Sequence, residues 1–152
     1  MRAHNTLRFA LVCGGLLAAL ASADDGLTPA KNYQLRCSGC HTMQGAGHPE
    51  QGVPDFRGMV GSFASTEGGR KYLLHVPGVI ASSLSDREIA EVLNLIMQRW
   101  AGESLPAHYD PFTAAEVTRL RAAPIGNLVK YRRAVAKDLR AKDLPVAAYP
   151  WP

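Results

Sequence analysis

Cysteine is scarce in this 152-residue chain, with three residues at positions 13, 37 and 40, and that scarcity rules out a disulfide-stapled scaffold. A structural zinc site needs four ligands, usually a second C-x-x-C or a histidine pair at short spacing. Here His48, His75 and His108 are scattered singly. No apolar run approaches the roughly 20 residues that span a bilayer; the longest, FALVCGGLLAALA, has 13. No stretch alternates apolar and polar residues as a half-buried strand does. Charge of one sign is not in excess either. The formal net charge is +4, which calls for no nucleic-acid partner. With 47% hydrophobic and 20% charged residues, what remains is an ordinary globular composition.

The short apolar run is informative by its place. Basic MRAHNTLR precedes it and small residues ASA follow it, the order of a secretory leader cleaved after Ala23. Residues 1–23 are therefore expected to leave, taking Cys13 with them, and the product is expected in the periplasm. The mature chain keeps two cysteines and carries 15 basic against 13 acidic residues. Residues 24–100 hold 7 basic and 8 acidic, residues 101–152 hold 8 and 5, so any basic face belongs to the tail.

Helix grammar recurs along the mature chain. Thr28 before Pro29 predicts a cap and first turn running toward Cys37. Residues 44–62 are dense in glycine and proline and predict a loop. A helical turn through EGGRKYLLH should stop before Pro77, since the residue preceding proline is driven out of the helical region. LSDREIAEVLNLIMQRW has Ser85 and Glu88 placed for a reciprocal cap, with Ile89, Val92, Leu93, Ile96 and Trp100 on one face. Thr113 and Glu116 predict the same device. A last helix over 127–142 aligns Leu128, Tyr131, Val135 and Leu139 among basic residues, and the proline-rich LPVAAYPWP predicts a disordered tail. The expected fold class is all-α, with a core domain over 24–100 and a C-terminal helical extension over 101–152.

The chemistry is concentrated in RCSGCHTM. A thioredoxin-like dithiol needs a strand before its cysteines; here a helix precedes them and a glycine-rich loop follows. C-x-x-C-H is the pattern of covalent haem attachment, with two thiols placed for the two vinyl groups and the adjacent imidazole for the iron. Cys37 and Cys40 are thus the expected thioether residues and His41 the expected proximal ligand of a single haem c.

With these features the sequence resembles the class I cytochrome c family over roughly residues 28–100. NYQLRCSGCH matches the end of its first helix, GAGHPEQGVPDFRG its haem-side loop and LSDREIAEVLNLI its closing helix. GGRKYLLHVPGVIASSLSD is similar to a subgroup of small periplasmic members with a longer tail. The resemblance implies a helical domain around covalent haem. It also implies that the Pro54 carbonyl accepts a hydrogen bond from the proximal histidine.

One departure bears on function. Such proteins usually draw a methionine from the loop before the closing helix, and residues 74–84 contain none. His75 or Met97 is then expected as distal ligand, with Met59 or an open position as the other options. A His/Met pair raises the potential, bis-His lowers it, and an open position admits small molecules. The resemblance implies an electron carrier rather than an enzyme, shuttling single electrons between a dehydrogenase and an acceptor protein, with no need of membrane contact. The alternative is a haem subunit or haem enzyme with a displaceable sixth ligand.

Overall fold

A computed structural model of the chain describes residues 26–150. The expected leader lies outside the described residues. Those residues form eight α-helices and two single 3-10 turns, with no strand among them.

Helix α1 (Pro29–Arg36) begins where Thr28 Oγ1 accepts the Lys31 N–H at 3.3 Å, with proline in the first turn where no N–H is missed. A four-residue helix, α2 (Ser38–His41), follows directly after Cys37. Helix α3 (Val60–Ala64) starts inside the stretch expected to be loop. All five of its residues are buried, and packing overrides the poor helix propensity of its glycine. Helix α4 (Glu67–His75) stops as expected before Pro77, which opens the short α5 (Pro77–Ile80). Helix α6 (Asp86–Trp100) has the full reciprocal cap: Glu88 N–H donates to Ser85 Oγ at 3.3 Å and Ser85 N–H donates to Glu88 Oε2 at 2.9 Å. Its apolar face, Ile89, Val92, Leu93 and Ile96, is buried.

Helices α1 and α6 pack together, with the Tyr33 and Trp100 rings 4.7 Å apart between centroids and Asn32 Nδ2 donating to Glu88 Oε1 at 3.4 Å. The extension joins this core. Helix α7 (Ala114–Ala122) packs on α6 and α4, and α8 (Leu128–Arg140) on α4 and α3. Phe112, Val117, Leu120, Val135 and Leu139 belong to the same buried cluster as Tyr33 and Leu93. Asn94 on α6 secures the connection: its Nδ2 donates to the Phe112 carbonyl, and its Oδ1 accepts from Phe112 N–H and Tyr109 Oη–H. A polar side chain facing a helix partner is satisfied here by backbone that sequence periodicity does not register.

Two expectations about the extension need correction. Thr113 Oγ1 accepts the Glu116 N–H at 3.2 Å, but the Glu116 carboxylate does not return to the cap. It takes a two-point bond from Arg70, both contacts 2.6 Å, while that guanidinium lies 3.8 Å over the Phe112 ring. A charge-assisted fork outcompetes one backbone N–H. The tail, expected to be disordered, is held over its described residues. Ser62 Oγ–H donates to the Pro145 carbonyl at 2.6 Å, Ala147 is buried, and the buried Arg132 donates to the Ala147 carbonyl at 2.8 Å beneath the Tyr149 ring. Buried donors on α3 and α8 find their acceptors in tail carbonyls, which proline does not remove.

Asp86 ties α6 to α7 by accepting from Thr118 Oγ1–H and Arg121, each at 2.5 Å. These bonds, the Thr118 hydroxyl first, hold its carboxyl below the usual aspartate range. The folded state therefore binds fewer protons than the unfolded chain as pH falls through that range. The stabilisation is present above about pH 4 and lost below it. Asp86→Asn should flatten the acid limb of a stability–pH curve and cost at most about 1 kcal/mol at neutral pH, because the pair is partly solvated. An unchanged acid limb would show that the bond contributes nothing.

Candidate haem site

Cys37 closes α1 and opens α2. Its N–H donates to the Tyr33 carbonyl at 2.9 Å, and its own carbonyl accepts from Cys40 N–H at 3.2 Å and His41 N–H at 2.9 Å. CSGCH is thereby one helical turn, with Cys37 and Cys40 three residues apart and facing the same way. Both thiols are free, Cys37 half-buried and Cys40 exposed. Burial, then the neighbouring Cys40, pushes the Cys37 thiol up to about 11, so it stays protonated at neutral pH.

After His41 the chain must turn back on itself. Thr42 takes φ +59°, and its carbonyl accepts from the buried Tyr33 Oη–H at 2.7 Å. Gly45 at φ +74° lies against the Trp100 indole, where a Cβ would come within 2.8 Å of the ring. Gly47 at φ +63° donates its N–H to the His41 carbonyl at 3.1 Å, and a Cβ there would lie 2.5 Å from the carbonyl oxygens of Val53 and Pro54. Paired backbone bonds between His48 and Val53 close the loop. Phe56 N–H donates to the Gly45 carbonyl at 2.8 Å, which brings Pro54 and Phe56 back over the histidine.

His41 stacks on Phe56 at 3.9 Å between centroids and 18° between planes. Its Nδ1 is buried and makes no hydrogen bond of good geometry. Burial chiefly, and His48 in addition, lower the imidazole to about 4, while the nearby Pro54 carbonyl pulls the other way. The ring is thus neutral at physiological pH. The structure brings Cys37, Cys40, His41 and Pro54 together and adds Phe56 as the surface against which the imidazole lies. Nothing in the local sequence pattern of Phe56 marks it as a stacking partner.

Other expected residues lie elsewhere. His75 ends α4, half-buried, with Nδ1 2.8 Å from the Lys71 carbonyl. Met97 is 1% exposed within the helical core. Met59 is half-buried just before α3. No hydrogen bond, ion pair or ring contact joins His75 or Met97 to His41 among the described residues. Tyr72, Leu73, Val92 and Leu93 are buried, whereas the apolar Leu35, two residues before Cys37, is 54% exposed. His108 borders a surface cleft of about 460 Å³ in which Arg70 is paired with Glu116 and Arg119 with Glu67.

These residues fit a covalently held haem. The thiols are unbridged and one turn apart, and the neighbouring imidazole is neutral and half-buried, with its Nδ1 enclosed by protein beside the Pro54 carbonyl. An all-helical domain with such a turn at the end of its first helix defines the class of c-type haem proteins. No family profile matches the chain. Two curated proteins do, both named cytochrome c-552 and both from Thermus thermophilus. One is 39% identical over 135 residues, covering 77% of this chain and 86% of that protein. The other is 38% identical over 111 residues, covering 61% of this chain and 83% of its own. The chain belongs to the cytochrome c-552 family of class I c-type cytochromes. Its cofactor is covalently attached haem c and its function is electron transfer with redox partner proteins.

Proposed function

We propose that Cys37 and Cys40 hold the haem through thioethers and that His41 is the proximal ligand. The observation that carries this is the juxtaposition: a half-buried imidazole, neutral at physiological pH and beside the Pro54 carbonyl, stands on the same helical turn as two free thiols. The bound haem supplies one-electron chemistry at its iron. The chain's residues supply the frame. Burial keeps the proton off one imidazole nitrogen, as a metal ligand requires. The Pro54 carbonyl favours a proton on the nitrogen facing it, and Phe56 fixes the plane of the ring. Electron transfer asks for little rearrangement between oxidation states, and the packed α1–α6 pair with its Tyr33–Trp100 contact suits that demand.

The role proposed is a periplasmic carrier, exported with cleavage after Ala23, that takes single electrons from a dehydrogenase to an acceptor. No helix among the described residues is long and apolar enough to cross a membrane. Residues 24–100 act as the haem domain and 101–152 as a helical extension sharing its core.

For the distal position, His75 is the better reading. Its Nδ1 is engaged by the Lys71 carbonyl, which leaves Nε2 with a lone pair, the usual arrangement of a ligating histidine. Met97 is sealed in the core, where its side chain fills space among apolar neighbours. His75→Ala should turn the ferric spectrum high-spin and let the reduced protein bind carbon monoxide. Met97→Ala should keep the native spectrum while losing about 2–5 kcal/mol of stability. The opposite pair of results moves the ligand to Met97. Carbon monoxide binding by the unaltered protein favours instead the reading of a displaceable sixth ligand, and hence a haem subunit or enzyme, a reading supported by the lack of methionine over 74–84.

A further inference from the structure

Five of the ten arginines among the described residues face a carboxylate: Arg57 meets Asp55, Arg70 meets Glu116, Arg87 meets Glu91, Arg119 meets Glu67 and Arg121 meets Asp86. Helix α8 gathers several cations that have no such partner. Lys130, Arg133, Lys137 and Arg140 are all exposed, and none has a carboxylate within salt-bridge distance among the described residues. At 100° per residue they fall within an arc of about 80°, a stripe about 15 Å long. The only acid on the helix, Asp138, lies off that arc, and the opposite face, Val135, Ala136 and Leu139, is buried in the core.

Helix-dipole complementation accounts for only part of the stripe. Lys137 and Arg140 stand in the last turn, where a cation is favourable. Lys130 stands in the first turn, where a cation is unfavourable, and no acid offsets it there. The helix dipole thus accounts for Lys137 and Arg140 but not for the continuation of the strip to Lys130.

We propose that the α8 stripe is a docking surface for an acidic face of a redox partner protein; this rests on the electron-carrier reading above. A protein partner is favoured over a lipid surface because an interfacial helix must bury its apolar face in the headgroup boundary, and that of α8 is already committed to α3 and α4. What remains is a rigid row of charges, suited to steering and orienting an oppositely charged surface. Helix α2, which bears Cys40 and His41, packs instead on α1. The stripe thus guides approach from a helix other than the one carrying the attachment turn.

The test uses the full haem-loaded protein, with poly-L-glutamate as the acidic polypeptide probe. Lys130→Glu/Lys137→Glu is compared with Lys31→Glu/Arg36→Glu, which changes net charge equally on α1. Binding by the unaltered protein should weaken steeply with salt. The α8 variant should lose at least tenfold in affinity and the α1 variant little, with the visible spectrum preserved in both. Equal losses in the two variants would mean that net charge alone is sensed and would overturn the proposal. So would tighter, stripe-dependent binding to phosphatidylcholine vesicles containing phosphatidylserine than to the polypeptide, which would mark a lipid surface. A colourless product would refute the haem assignment instead and would be seen before any binding is measured.

Discussion

Replacing Cys37 and Cys40 together with alanine should give a chain with no visible absorption, an intact mass equal to the bare polypeptide, and a circular dichroism spectrum without stable helix. The physical reason is length. Helices α2, α3 and α5 have four, five and four residues, and the attachment turn is itself one of them. Isolated helices below about 12 residues are marginal in water, so such elements depend on what they pack against. A haem held, as proposed, at the α1–α2 turn and by His41 would bind the folded chain only, and its binding free energy would become folding free energy. Far-ultraviolet circular dichroism of the double variant, expressed beside the native protein in a host that attaches haem, makes the comparison. A cooperative, native-like helical spectrum in the variant would show that the polypeptide core suffices alone.

The second large effect is expected at Gly47. Its φ of +63° costs an L residue about 1 kcal/mol. A Cβ would also overlap the carbonyl oxygens of Val53 and Pro54 at 2.5 Å, and backbone atoms cannot swing aside as a side chain can. Gly47→Ala should therefore cost about 3 kcal/mol in all. It should also disturb the proximal side, because the stretch of loop that must yield carries the carbonyl facing His41. Thermal unfolding of the haem-loaded variant, followed in the visible bands, reads both effects. Gly39→Ala is the internal reference: it lies in α2 with nothing within 4 Å of a built Cβ, and should be neutral or slightly stabilising. Equal melting temperatures for the two variants would contradict the argument.

Much of this architecture was legible because it is written in local chemistry. Thr28–Pro29, Ser85–Glu88 and the residue before Pro77 act over three or four positions, and each performs in the structure as its spacing predicts. The turn proposed for haem attachment was legible for the same reason, since C-x-x-C-H is a five-residue statement. Glu116 shows the limit. Its spacing to Thr113 was right, yet an arginine 46 positions away took its carboxylate. Arg132 shows it again: a basic residue within a basic run, it turns inward to hold the tail, while its neighbour Arg133 faces solvent.

By itself, then, the order of residues determined the longer helices, the caps at Thr28 and Ser85 and the covalent haem chemistry, because caps and short motifs are decided by neighbours along the chain. Only the tertiary structure decided that the extension shares one core with the haem domain, that Phe56 lies on His41, that Arg132 anchors the tail and that the α8 cations stand unpaired. Each of these depends on which residues, distant in sequence, compete for the same space or the same charge, and that competition is settled only when the chain is packed.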